Sequence, residues 1–191
     1  MTPAATTRTL STAEDRREAV LEAALPIFAR RGLLATPTSE VAKAAGISHA
    51  YLFRLFPTKI DLAVAVAGRC NERICTAFRA AVAAAKASGE EPLHAMGMAY
   101  TELISDPDLL LCQMHSFAAS AAVPEIRETS QAGFRAIFDL VAEESGASDE
   151  ELGSFFATGM LMNVLAALGA DTSRDGWAEV LGSYCEKDDP S

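Results

Sequence analysis

The sequence predicts an all-α protein of about nine helices, and three observations carry that expectation. Apolar residues make up 50% of the 191, enough to build a sizeable core. Alanine is very frequent and β-branched residues are sparse, a bias that favours helix. Apolar residues recur at helical spacing along the chain, and no segment sustains the two-residue alternation of a half-buried strand.

The elements follow from punctuation residues. Residues 1–11 are Thr/Ala/Pro-rich and read as a disordered tail. A helix is expected from Thr12 to Arg31, with Ala19, Val20, Ala23, Ala24, Ile27 and Phe28 as its apolar stripe. Pro26 removes one backbone hydrogen bond and is expected to bend it, and Gly32 ends it. Thr36 reads as the N-cap of a short helix over 37–45, with Pro37 in its first position. Gly46 closes that helix in the left-handed conformation, and Ser48 caps a third helix over 49–56. Pro57 breaks the third helix and Thr58 caps a long fourth over 59–87. Further helices are expected at 91–105, 107–121, 123–145, 148–169 and 174–186, separated by Ser105-Asp106-Pro107, Ala122-Val123-Pro124, Ser145-Gly146 and Gly169–Asp175.

Charge divides the chain near residue 62. Residues 1–62 hold eight Lys/Arg and six Asp/Glu, a net of +2, whereas residues 63–191 carry a net of -12. The first part can approach a polyanion and the second repels one. The four cysteines lack metal-type spacing, Cys70 and Cys75 do not share a helix face, and all four read as free thiols. The first ten residues do not resemble a secretory signal. The longest apolar run, residues 155–170, contains Asn163 and falls short of the ~20 residues a spanning helix needs. No Ser-His-acid pattern, glycine-rich phosphate loop or Cys-His signature is present, so no catalytic residue, metal or cofactor is expected.

The stretch AAGISHAYLFRLFPTK, residues 44–59, carries the chemistry. Two short helices around a glycine turn, the second capped by Ser and polar at its start, describe a helix-turn-helix. Gly46 permits the abrupt turn, and the small or apolar Ala42, Ala45 and Ile47 let the helices pack closely. Leu52 and Phe56 anchor the second helix, leaving Ser48, His49, Ala50, Tyr51, Arg54 and Leu55 facing outward and Phe53 as core filler. A helix so placed fits the major groove with its first turn at the base edges.

Residues 17–62 resemble the DNA-binding domain of the TetR family of transcriptional regulators. The matching residues are an AAxxxFxxxG helix end (Ala23, Ala24, Phe28, Gly32), a VAxxAGIS block (Val41 to Ser48) and an LFxxFPTKxxL block (Leu52 to Leu62). The resemblance implies that Ser48, His49, Ala50 and Tyr51 lie at the groove. It places Thr36, Thr38 and Lys59 near phosphates, and Arg54 on a phosphate or a guanine edge. Pro37 stands where the family usually has Thr, Ala50 where it has Gly, and Phe53 where it has a phosphate-binding Tyr. Sequence preference therefore does not transfer.

For residues 63–191 the resemblance implies a larger helical domain that dimerises and encloses a small-ligand pocket. The residues support the first role directly. The helix over 148–169 is apolar nearly all round, and the last helix offers Trp177, Val180, Leu181 and Tyr184 at helical spacing. Phe156, Met160, Val164, Leu168, Trp177 and Leu181 are the expected homodimer contacts. The bulky Met96, Tyr100, Leu111, Met114, His115, Phe134, Phe138 and Met160 are the pocket candidates, although the same residues would equally fill a solid core.

The expectation is a cytoplasmic homodimeric regulator of three parts: a tail over 1–11, a DNA-binding domain over 12–62, and a ligand-binding and dimerisation domain over 63–191. It is expected to repress by occupying a palindromic double-stranded operator until a small apolar effector binds. The alternatives are a ligand-independent activator or architectural dimer, and a carrier or enzyme-like body with a vestigial helix-turn-helix.

Overall fold

The structure, a computed structural model, describes residues 13–170, 173 and 175–187. Among the described residues there are nine helices and no strand. They are α1 (Ala13–Arg31), α2 (Thr38–Ala44), α3 (His49–Leu55), α4 (Lys59–Ser88), α5 (Pro92–Ile104), α6 (Pro107–Ser120), α7 (Pro124–Ser145), α8 (Asp149–Ala167) and α9 (Gly176–Lys187). The expected tail over 1–11, the start at Thr12 and the start of the last helix at residue 174 lie outside the described residues.

The punctuation residues act largely as their chemistry dictates. Ser48 Oγ accepts from the Tyr51 amide at 3.1 Å. Thr58 and Asp61 form a reciprocal capping box at α4, as do Ser148 and Glu151 at α8. The Ser148 hydrogen bonds hold the Glu151 carboxyl below its ordinary value. Gly46 adopts φ +65°, the left-handed conformation that the turn between α2 and α3 requires. Pro26 lies inside a continuous α1.

α2 departs from expectation. Its N-cap is Pro37, which makes no side-chain capping bond, and the helix begins at Thr38. Thr36 turns the other way: its hydroxyl donates to the Gly32 carbonyl at 2.8 Å, finishing α1 instead of starting α2.

The long α4 is the spine. It packs on α1, α5, α6 and α7, while α8 lies against α5, α6 and α9. The principal core does not stop at residue 62. Phe28, Val41, Leu52 and Phe56 of the head share one buried cluster with Leu62 and Val66 of α4, Leu109 and Cys112 of α6, and Ile126 of α7. A second cluster fills the body around Phe78, Met96 and Val141, and a small third joins Leu165 to Ala170 and Ala178. Arg69 of α4 adds ion pairs to Glu18 and Glu22 of α1 at 2.8 and 3.2 Å. These are partly exposed and are worth only about 0–1 kcal/mol each, so apolar burial sets the attachment of the head.

Cys70, Cys75 and Cys112 are buried free thiols and Cys185 is a partly exposed one. The Cys70 contact and burial push the Cys112 thiol up, and burial does the same for Cys75, so neither is a thiolate near neutral pH. No helix of the described residues is long and apolar enough to cross a membrane, and no group of three metal-ligating side chains occurs among them.

The tightest helix approach is between α4 and α7 at Gly133. A Cβ there would lie 1.9 Å from Asn71 Nδ2 and 2.8 Å from Asn71 Cβ. Gly133→Ala is expected to force these helices apart, with a loss of about 1–3 kcal/mol measured by urea unfolding. Unchanged stability would mean that Asn71 swings clear.

Candidate nucleic-acid interface and ligand cavity

The helix-turn-helix presents α3 at the surface. Leu52, Leu55 and Phe56 face inward and fix the helix to the head. Leu55 corrects the expectation that it faces outward: it lies three residues after Leu52, on the same helix face. Arg17 secures this end of α3 by donating to the Leu55 carbonyl, with its guanidinium 4.3 Å from the Phe56 ring centroid.

Ser48, His49, Ala50, Phe53 and Arg54 are exposed along the outer edge. Thr38 Oγ1 and His49 Nε2 share a hydrogen bond at 2.9 Å, tying the start of α2 to the start of α3. The His49 ring meets Phe53 edge-on at 4.9 Å. Phe53 is therefore not core filler; it stands on the exposed edge and supports His49. Tyr51 is half-buried between two cations, with Arg16 and Arg54 at 5.5 and 5.8 Å from its ring. Its hydroxyl also accepts from Arg16 at 3.3 Å.

Two expected phosphate contacts change. Thr36 is 0% exposed, so its hydroxyl lies beneath the surface and is spent on Gly32. Lys59 is half-buried and its Nζ donates to the Leu34 carbonyl. The capping box also places the Asp61 carboxylate at the α4 N-terminus, where it offsets the attraction of that terminus for an anion.

The body contains a cavity of about 520 Å³ between α4, α5, α7 and α8. Phe78, Met98, Phe134, Phe155 and Met162 make most of its wall apolar. Of the expected pocket residues, Tyr100, Phe134 and Met160 line it. The others do not. Met96 is sealed into the second core cluster, and Phe138 is exposed and packs its ring 5.5 Å from that of Phe156. α6 turns only Gln113 to the cavity, which leaves Leu111, Met114 and His115 elsewhere. His115 instead donates from Nε2 to the Ala29 carbonyl at 3.1 Å, beside Gly32, so it joins α6 to the end of α1.

The cavity ends in a polar group. Tyr100 Oη lies 2.9 Å from Asn163 Oδ1 and 3.2 Å from Gln113 Oε1. Burial pushes the Tyr100 phenol above its ordinary value, so it is a neutral donor near pH 7. Sequence reasoning missed Gln113 and used Asn163 only as an interruption of an apolar run. A lone amide in such a run is itself a signal, because buried polar atoms require partners.

The apolar residues expected to meet a second chain divide. Met160, Val164, Leu168 and Trp177 are exposed, as are Val180 and Tyr184. Phe156 is half-buried in an aromatic group with Phe134 and Phe155, and Leu181 packs on the third cluster of its own chain.

A helix-turn-helix head with a basic and aromatic outer edge is thus carried on a helical body with an apolar cavity. Residues 20–66 match the family described as bacterial regulatory proteins, tetR family. The chain is 26% identical over 136 residues to the HTH-type transcriptional activator FasR of Mycolicibacterium smegmatis, a match covering 70% of this chain and 62% of that protein. It thus spans about six tenths of that relative's length. The fold is shared with a member of the TetR family from Streptomyces coelicolor A3 at TM-score 0.66 and 19% identity, over 93% of this chain and 99% of that one. A TetR family transcription regulator from Marinobacter aquaeolei VT8 aligns at TM-score 0.64 and 19% identity, over 92% of this chain and 95% of that one. Residues 20–66 are thus similar to the DNA-binding domain of the TetR family, and the fold of the chain as a whole is that of the two solved structures.

The buried position of Thr36 has a direct consequence. Thr36→Val is expected to lower stability by about 1–2 kcal/mol in urea unfolding, because the Gly32 carbonyl loses its donor. It is expected to leave the salt slope of DNA binding unchanged. A reduced slope with native stability would return Thr36 to the phosphate contacts.

Proposed function

We propose that the chain is a homodimeric, ligand-responsive repressor that occupies a palindromic operator and leaves it when a small apolar molecule fills the body cavity. The observation that carries this reading is the position of α6. Its Gln113 faces the cavity, and two residues on, its His115 holds the end of α1. These positions lie on opposite sides of one helix, so a ligand that shifts α6 acts on the head through a short path. An effector must favour the DNA-incompetent arrangement by about 1–3 kcal/mol to act usefully.

In this reading residues 12–62 read DNA and residues 63–191 bind the effector and dimerise. Ser48, His49 and Ala50 meet base edges, Tyr51 and Arg54 meet a phosphate or a guanine, and Thr38 positions His49. Lys59 adds charge nearby, while Thr36 has no part. Tyr100, Phe134 and Met160 contact the effector. Val164, Leu168 and Trp177, joined by Val180 and Tyr184, form the two-fold interface. Leu168 and Val180 are 68% and 67% exposed in the single chain, and covering them favours association. Such a regulator works in the cytoplasm, and its -12 body faces away from the DNA.

One observation favours a second sign of regulation: the relative from Mycolicibacterium smegmatis is named an activator. A reporter behind the bound promoter separates the two, since a repressor lowers transcription and an activator raises it.

The test is selection of fragmented genomic DNA from the source organism on purified protein. One short inverted repeat is expected to be enriched, with two chains per half-site pair. Changing His49 and Arg54 together to Ala is expected to weaken that site by more than about 30-fold. Flat enrichment, or binding by the variant equal to that of the parent, would overturn the reading.

A further inference from the structure

The polar end of the cavity narrows the ligand class, given the reading of that cavity as the effector site. Tyr100 has one hydroxyl proton and two amide neighbours, so it donates to Asn163 or to Gln113 but not to both at once. Asn163 is 0% exposed, and among the described residues its Nδ2 reaches the Met160 sulfur, at 3.8 Å. Gln113 is 8% exposed and lines the cavity. Its oxygen and nitrogen can exchange places by an amide flip. With Oε1 toward Tyr100, both Nε2 hydrogens lack a protein partner among the described residues. With Nε2 toward Tyr100, one hydrogen still does. In either orientation an amide N–H of Gln113 is therefore open to the apolar cavity without a protein acceptor among the described residues.

The wall also restricts charge. Among the described residues no Lys or Arg lines the cavity. Its ionisable side chains include His94, which lies 3.7 Å from Glu90, and Glu151, whose carboxylate is committed to the Ser148 cap. A carboxylate at the inner end would be desolvated without a Lys or Arg counter-charge among the described lining residues.

We propose that the cavity takes an uncharged, mainly apolar molecule bearing one oxygen acceptor, such as a ketone, ester or lactone carbonyl, which docks on the Gln113 amide. The apolar remainder lies along Phe78, Phe134, Phe155 and Met162. Gln113 is thereby the specificity-determining residue: it disfavours a plain hydrocarbon, which offers its N–H no acceptor, while a carboxylate meets no Lys or Arg among the described lining residues. Because Gln113 stands on α6, the same hydrogen bond that selects the ligand acts on the helix that holds α1.

The test measures binding of a matched series to the full chain by calorimetry: 2-decanone, decane and decanoate. Gln113→Leu, Gln113→Glu and the cavity-filling Gly159→Phe are compared with the parent. The Cβ position of Gly159 lies 3.4 Å from the Tyr100 ring, so a bulky side chain there occupies the lumen. The expected result is that 2-decanone binds tightest and that Gln113→Leu and Gln113→Glu each weaken it about 5–10-fold. Gln113→Leu is expected to leave decane unchanged or tighter, and Gly159→Phe to abolish binding of all three. Equal binding of 2-decanone and decane, insensitivity to both Gln113 variants, or a preference for decanoate would overturn the assignment of ligand class while leaving the cavity as a ligand site. Binding of none of the three, or binding untouched by Gly159→Phe, would overturn the effector-site reading and this inference with it.

Discussion

The burial of Phe28 and Phe56 against Leu62, Val66, Leu109 and Cys112 is the constraint on which the rest of the molecule depends. Phe28 belongs to α1 and Phe56 closes α3, whereas Leu109 and Cys112 belong to α6, the helix that reaches the cavity. Truncating a buried Phe to Ala usually costs about 3–5 kcal/mol. A whole domain is stable by only about 5–15 kcal/mol. The head is therefore joined to the body by apolar burial, and the partly exposed ion pairs of Arg69 add little to it. Its orientation follows α4 and α6.

That shared core gives the two halves distinct tasks without separating them. The basic edge of α3 stays in solvent because Leu52, Leu55 and Phe56 hold the opposite face. In the acidic body one polar group lies at the inner end of the cavity, where Tyr100, Gln113 and Asn163 meet. α6 contributes to both regions. Gln113 is in contact with the lumen and His115 with the Ala29 carbonyl, so no long pathway is needed between cavity and head. Transmission through a bistable packed helix needs only a ligand that prefers one of its positions.

Much of the fold was legible in the sequence, and the reason is punctuation. Gly32, Gly46, Gly89 and Gly146 adopt left-handed conformations at helix ends, and Ser48, Thr58 and Ser148 cap the helices they precede. Such signals act within four residues, so they can be read along the chain. Thr36 misled because a Thr-Pro pair imitates an N-cap, while its hydroxyl found the carbonyl of Gly32, four residues back. Leu55 was misplaced through neglect of the i, i+3 relation to Leu52. The partnership of Arg16 with Tyr51, across 35 residues, leaves no local trace. The cavity was the least legible part. Its wall comes from six helices, and which residues face it depends on the rotation of each helix against its neighbours. Met96 and Tyr100 sit one turn apart on α5, yet one is core and the other lines the lumen.

Through this shared core, head and body unfold and move as one packed unit. Native-state hydrogen exchange at rising denaturant tests it most directly. Core amides at the ends of α1 and α3, at Phe28 and Phe56, are expected to share one opening free energy and one denaturant slope with Cys112 of α6. Opening of α1 and α3 at a clearly lower free energy, with α6 still protected, would show that the head is a separate cooperative unit. The coupling assigned to α6 would then have no physical carrier.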